Sequence, residues 1–339
     1  MKLNSLETKL LEIDEISSAA EILKSGGVVA IPTETVYGLA ASCYDEKAIK
    51  KVFEAKGRPQ DNPLIVHISD LEMLKRVAID IPDIAYDCAR AFWPGPFTMV
   101  LKRHPDIPAS VSAGLDTVAV RCPSHSVANA LIRQSNLPLA APSANVSGAP
   151  SPTKYTHVVA DLSGKIDAIL CGGECECGVE STVVSLVCNP PRLLRPGSIT
   201  PEQLRAVLGE IVIDPAILEE LKEGQEAQSP GMKYRHYSPK TEVVLLEGES
   251  EKFIEFINGK ENVGAICFED EYELINAKKI CYGSENNPET LANALFSALR
   301  EADGLGVQTV YVHAPEKSGV GLAVYNRLIR AAAFRVIEL

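Results

Sequence analysis

Short apolar runs that stop on a proline and then turn polar recur through the first two-thirds of the chain, and no other feature restricts its fold as much. Residues 28–31 are apolar, Pro32 ends them, and Thr33-Glu34-Thr35 follows. Residues 139–141 stop at Pro142 and give way to Ser143-Ala144-Asn145, and Leu193-Leu194 gives way to Arg195-Pro196-Gly197. Runs this short suit buried strands, and proline, with no N–H to lend to a ladder, belongs at a strand's end. Further strands are read at 63–67, 97–101, 117–121 and 182–187, and helices at 15–25, 45–55, 83–92 and 201–208. Gly26-Gly27 stops the first helix, and Trp93-Pro94-Gly95-Pro96 requires a turn. The result is a mixed α/β domain whose polar strand ends are natural places for a binding site.

The pattern changes after residue 213. Residues 214–229 are polar and rich in glutamate, which reads as a linker, and residues 230–239 are basic, aromatic and stiffened by Pro230 and Pro239. Strands at 241–247, 263–269 and 307–314 then alternate with helices at 250–258, 287–303 and 321–333, the signature of a small parallel-sheet, Rossmann-like domain. Its first strand is not followed by G-x-G-x-x-G, so a dinucleotide site there is unsupported. The expected organisation is a domain at 1–213, a linker at 214–240 and a smaller α/β domain at 241–339. A chain of 339 residues is long enough for two domains.

Composition removes several alternatives. With 46% hydrophobic and 23% charged residues, bulk disorder is excluded. The net charge is −12; residues 1–240 carry −5 and residues 241–339 carry −7. That argues against nucleic-acid binding through a uniformly basic surface, while a local basic cleft stays open. The nine cysteines are odd in number and follow no framework spacing, which points to reduced thiols. No apolar run approaches the ~20 residues that span a bilayer, and no signal peptide is indicated, so a cytoplasmic protein with no membrane contact is expected.

Several constellations could carry chemistry. Lys56 and Arg58, followed by Asn62, are suited to wrapping a polyphosphate, or form a solvated surface pair. Ser143 and Asn145 follow a strand end and could hold a phosphate or a magnesium-bound oxygen, or close a turn. Glu180-Ser181-Thr182 places two hydroxyls beside a carboxylate. Arg121 closes the apolar run 118–120 and needs an anion, from a side chain or a ligand; His67 closes 64–66. Cys171, Cys175 and Cys177 lack the fourth ligand of a structural zinc, so direct metal ligation by the protein is not expected. G-x-S-x-G, G-x4-G-K-[ST] and H-E-x-x-H are all absent.

Taken in order, these segments resemble one family. The run 27–39, Lys56-Gly57-Arg58-Pro59, Asn62-Pro63-Leu64, residues 93–98, residues 141–148, Glu180-Ser181-Thr182 and Arg195-Pro196-Gly197 look like the YrdC-like threonylcarbamoyl-AMP synthase family, in its two-domain form. The resemblance implies an N-terminal YrdC-like domain with a large cleft. It implies that L-threonine, bicarbonate or CO2, and ATP give L-threonylcarbamoyl-AMP and pyrophosphate, with Mg2+ accompanying ATP. A downstream tRNA threonylcarbamoyl transferase complex would use the product beside the anticodon; tRNA contact by this chain is not required, and a monomer is expected. By resemblance, Lys56, Arg58, Ser143 and Asn145 are the catalytic set. Together with Asn62, Thr117, Ser151, Arg195 and Tyr234 they bind ATP. Thr35, His67, Arg121, Ala141, Ser181 and Thr182 bind threonine. Glu34, Glu180 and His67 remain open as acid–base candidates. Residues 230–239, with Tyr234 and His236, would form a lid. Two rival functions are a carbamoyl-adenylate synthase using carbamoyl phosphate, whose paired C-x2-C motifs are missing here, and an RNA-binding module without catalysis.

Overall fold

The computed structural model describes residues 6–220 and 236–339, which form two sheets. Twelve strands make the first: β1 (Lys9–Glu12), β2 (Val29–Ile31), β3 (Gly38–Ser42), β4 (Ile65–His67), β5 (Ala78–Ile79), β6 (Phe97–Arg103), β7 (Thr117–Arg121), β8 (Leu139–Ala140), β9 (Ala168–Cys171), β10 (Thr182–Ser185), β11 (Arg192–Arg195) and β12 (Val212–Ile213). Their order is β1-β9-β2-β3-β8-β4-β7-β6-β10-β11-β12, with β5 on β6. The second sheet contains β13 (Glu242–Glu247), β14 (Val263–Cys267), β15 (Lys278–Cys281), β16 (Thr309–His313) and β17 (Val336–Glu338), ordered β15-β14-β16-β13-β17. Every pairing in it is parallel, as the alternating strand and helix pattern demands.

Local chemistry sets the elements that border the cleft. Helix Glu46–Lys56 starts at Asp45, whose carboxylate accepts from the N–H groups of Lys47 at 2.9 Å and Ala48 at 3.1 Å. It ends at Gly57, whose φ of 60° only glycine adopts without cost. Strand β2 is wholly buried because helix Ile16–Lys24 lays Ala19, Ala20 and Leu23 on the same core. Strand β3 is not anticipated by the sequence pattern. Its Gly-Leu-Ala-Ala-Ser stretch lacks the β-branched side chains that mark strands, and it is held instead by two antiparallel neighbours, β2 and β8. β15 and β17, short and partly exposed strands at the two edges of the second sheet, are not anticipated either.

The start of the expected linker is docked rather than free. Asp214 caps the turn Pro215–Ile217, and Ile217 is 1% exposed. The carbonyls of Ala216 and Ile217 accept from Arg330 and Asn326 at 2.6 Å each. Those donors sit on helix Gly321–Ala331, all of whose residues are buried, because one face packs on its own sheet and the other on the first domain. Helix Pro288–Ala302 makes the second contact. From it Arg300 reaches Asp161 at 2.8 Å and the carbonyl of Pro150 at 2.6 Å, while Asn293 donates to the carbonyls of Cys175 and Glu176.

Gly178 is where the fit is closest. Its φ is +74°, and a Cβ there would stand 2.3 Å from the carbonyl oxygen of Ala292. Gly209 has a similar φ of +71° with nothing within 4 Å. Gly209→Ala should therefore show backbone strain alone, about 1 kcal/mol. Gly178→Ala should cost at least about 2 kcal/mol more, because backbone must move at the domain interface. Denaturant unfolding of the two variants checks this; equal losses would show that the interface has slack.

Candidate active site

One cleft collects the polar ends of the first sheet. Its walls include Thr33, Thr35, Lys56, Arg58, His67, Arg121, Ala141, Ser143, Asn145, Ser151, Glu180, Ser181 and Arg195, with His236 and Tyr237 over the top. Topology brings them together. Strands β4 and β7 run parallel with His67 opposite Arg121 in register, so both side groups emerge at the same sheet edge. The turn after β2 and the turn after β8 flank that edge, tied by an isolated bridge between Gly38 and Ser143.

At one end lies a closed polar knot. Thr33 Oγ1 donates to the Val36 carbonyl at 2.5 Å, so Thr35 Oγ1 donates to Thr33 Oγ1 at 2.9 Å and accepts from Arg121 at 2.7 Å. Arg121 Nη2 is 2.6 Å from Glu34 Oε1, with both side chains buried. The anion that buried Arg121 needs is thus supplied by Glu34, which also accepts from the Ser124 N–H at 3.1 Å. Burial pushes the Glu34 carboxyl up, but Arg121 and the Ser124 N–H outweigh it, and it ionises below its ordinary value. Arg121 Nε donates to the Gly95 carbonyl at 3.3 Å, so each nitrogen of this guanidinium, which lines the cleft, has a neighbour in the protein. His67 donates Nδ1–H to the Ile65 carbonyl at 3.2 Å. Burial, then the Arg121 charge, push its imidazole down to about 3, so it is neutral.

The other end is a turn braced from behind. The ammonium of Lys56 donates to the carbonyl of Ser143 and, at 2.6 Å, to that of Asn145. Ser147 N–H returns a bond to the Lys56 carbonyl at 2.8 Å. Burial and the nearby Arg58 push the Lys56 ammonium well below its ordinary value. Asn145 spends its amide on the carbonyls of Val146 and Ala149, each at 2.8 Å. Lys56 and Asn145, both on the cavity wall, thus also shape the turn that presents Ser143. Arg195 donates to the Ser181 carbonyl and hydroxyl at 3.1 Å each, and burial brings its guanidinium down to about 10, still cationic at neutral pH. Ser151 donates to Glu180 at 2.5 Å.

Three residues expected at the site stand apart from the cleft. Thr117 begins β7 four residues before Arg121, which puts it about 13 Å away along the strand. Thr182 is engaged with the backbone of Ile199, donating at 2.7 Å and accepting at 3.1 Å, so its hydroxyl supports the Arg195 bend. Asn62 is 1% exposed and faces the interior. Tyr234 lies outside the described residues. Sequence reasoning missed Thr33, whose hydroxyl closes the knot, and Tyr237; Thr33 sits in the polar cluster after Pro32, the signal that would have found it. Among the described residues the three loop cysteines form no metal cluster, and no helix is long and apolar enough to cross a membrane.

A cleft with a buried arginine and hydroxyls at one end and cations around a polar turn at the other, on a mixed α/β sheet, suits an enzyme that joins a small acid to a nucleotide. The family model described as telomere recombination (Sua5, YciO and YrdC) matches residues 21–197, and the model of the threonylcarbamoyl-AMP synthase C-terminal domain matches residues 199–333. The chain belongs to the two-domain threonylcarbamoyl-AMP synthase family. It is 46% identical to the threonylcarbamoyl-AMP synthase of Pyrococcus abyssi over 333 residues, 96% of each chain. It is 46% identical to that of Bacillus subtilis over 331 residues, 96% of this chain and 94% of that one. The crystal structure of P. abyssi Sua5 complexed with L-threonine superposes with a TM-score of 0.90 at 43% identity, covering 98% of this chain and 99% of that one.

The neutral histidines make stability depend on pH. Burial, its first cause in each case, lowers His67 and His236 to about 3 and His157 to about 4. In the unfolded chain each would titrate near 6.5. Below that value unfolding takes up protons, so stability is full above pH 6.5 and falls as pH drops toward 4. His67 and His236 each cost about 1.4 kcal/mol per pH unit in that window, and half-buried His157 costs less because solvent screens its charge. The melting temperature should be level from pH 8 to 7 and fall by several degrees by pH 5.5, less steeply in His67→Gln. A level profile down to pH 5 would contradict the burial of neutral imidazoles.

Proposed function

We propose that the chain is an L-threonylcarbamoyladenylate synthase. The observation that carries this is the continuity of the cleft: Arg121, His67 and the Thr33–Thr35 hydroxyls at one end share a single cavity with Ser143, Arg58 and Arg195 at the other. Threonine's carboxylate is drawn to the charge of Arg121, which lines the cavity. The neutral His67 ring and the Thr35 and Ser181 hydroxyls serve its amine and hydroxyl. The threonine nitrogen adds to CO2, formed from bicarbonate, giving a carbamate. A carbamate oxygen then attacks the α-phosphorus of ATP, and pyrophosphate leaves.

The acid–base candidates are all held in one protonation state. Glu34 and Glu180 are held ionised by their arginines, and His67 is held neutral. The rate then comes from positioning and from shielding the labile carbamate from water. His236 and Tyr237 supply that shield, anchored by the Ser238 N–H on the Gly148 carbonyl at 2.9 Å. The described part of segment 230–239 thus supports a lid. Arg58 and Arg195 answer the charge that develops on the leaving pyrophosphate. Lys56 holds the Ser143 turn and adds its charge from behind.

Mg2+ that arrives with ATP keeps most of its waters and phosphate oxygens and needs one or two protein oxygens at most. The Ser143 hydroxyl lines the cleft and fits that demand. The ion would supply charge neutralisation on the phosphates. The product is a mixed anhydride suited to a downstream tRNA threonylcarbamoyl transferase complex, in keeping with a catalytic part that carries no uniformly basic surface.

Pyrophosphate release from ATP, with Mg2+ and bicarbonate, should require L-threonine and should fall at least about 100-fold in Lys56→Ala and Ser143→Ala. Arg121→Ala should raise the KM for threonine with less effect on that for ATP. Release that ignores threonine would favour a carbamoyl-phosphate substrate, and tRNA binding without any release would favour the RNA-binding module.

A further inference from the structure

Among the described residues Arg327 is the largest fully buried side chain, and it belongs to the second domain. Its guanidinium meets two parts of the first domain at the cleft wall and one residue of the connecting segment. Nε donates to Glu180 Oε2 at 3.0 Å and Nη2 to the Glu180 carbonyl at 3.3 Å. Nη1 donates to the Pro196 carbonyl at 2.6 Å. The ring of Tyr237, over the top of the cleft, lies 6.0 Å from the guanidinium carbon. Each contact leads to a residue that faces the cavity. Glu180 receives Ser151, and Pro196 follows Arg195. Gly197 is so close to β10 that a Cβ would stand 2.4 Å from the Thr182 nitrogen, so a shift of the bend passes directly to Ser181.

We propose that Arg327 is a positioning residue of the active site, by which the second domain sets Glu180, the Arg195-Pro196 bend and Tyr237 as the nucleotide-side wall of the cleft. A planar guanidinium with fixed donor directions holds three segments at set angles, which a lysine, as a point charge on a flexible stem, does not. Without it, Glu180, 7% exposed, is left as a buried charge with its main partner gone. The threonine end depends mainly on Glu34, Arg121 and the turn after β2, none of which hydrogen-bonds to Arg327, and Ser181, the one threonine-side group the bend reaches, is also held by Thr98 at 2.7 Å, so the effect falls mainly on the nucleotide.

This inference rests on the assignment of the Arg195 end to ATP, and binding separates it from turnover. Calorimetric titration with a non-hydrolysable ATP analogue plus Mg2+, and separately with L-threonine, compares wild type with Arg327→Lys and Arg327→Gln. The lysine variant keeps the charge and so the fold. Nucleotide affinity should fall about tenfold or more in both variants, least in Arg327→Lys, with threonine affinity within about twofold of wild type. With Glu180→Gln measured as well, the double variant Glu180→Gln/Arg327→Gln should lose clearly less than the sum of the two single losses, because the two residues share a contact. Nucleotide affinity unchanged in folded variants, parallel losses of both ligands with a lowered melting temperature, or additive losses in the double variant would each overturn the proposal. A wild type that binds both ligands but releases no pyrophosphate would refute the proposed activity and leave the positioning role standing.

Discussion

Charge taken out of water has to be answered where it lies, and the cleft is organised around three such answers. Arg121 is met by Glu34, Glu180 by Arg327, and the Lys56 ammonium by two backbone carbonyls. Each answer comes from a distant part of the chain, so each closes a long loop of the fold at the site. Glu34 follows β2 and Arg121 ends β7. Arg327 is 147 residues from Glu180, and Asn145 is 89 from Lys56. The order of strands matters here because it delivers these partners to one sheet edge.

The same pairings fix the electrostatic character of the cavity. Carboxylates satisfied by arginine stay ionised and are poor proton acceptors, and imidazoles walled in beside arginine stay neutral. What lines the cavity for a ligand is guanidinium groups whose charge is already part-balanced, together with hydroxyls. Such a surface binds carboxylate and phosphate without storing a large desolvation cost in the empty cleft. It also suits a reaction in which a carbamate and a triphosphate must meet under cover from water rather than exchange protons with the protein.

Much of this was readable in the sequence, for identifiable reasons. Proline after a short apolar run placed the turns after β2, β8 and β11, since proline's missing N–H and fixed φ act locally. The period-3.6 patterns of helices Pro288–Ala302 and Gly321–Ala331 likewise stand out alone. What a strand end contacts is not local. Lys56 looked like a phosphate ligand because a cation on a loop is suited to one; its burial against the 143–145 turn arises from the packing of helix Glu46–Lys56. Thr182 looked like a second hydroxyl at the site, but side chains alternate along a strand, so neighbours Ser181 and Thr182 face opposite ways. Arg327 lay in an ordinary amphipathic helix, and nothing in its surroundings in the chain marks it as part of a cleft in another domain.

The distribution of charge gives that last point its physical sense. The second domain is the more acidic, at −7, yet the side chains it turns toward the first are cations and amides: Arg300, Arg327, Arg330, Asn293 and Asn326. Their partners are mostly carbonyls at the ends of strands and turns, which lack ladder partners and would otherwise need water. Guanidinium groups carry enough donors to satisfy two or three such carbonyls each, so few residues close a large polar interface. Most of its acidic groups are left for the outer surface, Glu271, buried against His313, being an exception. An interface built this way is rigid in orientation, because each arginine fixes several backbone segments at once. That rigidity is what allows a domain with no catalytic group of its own to hold the geometry of a neighbouring cleft.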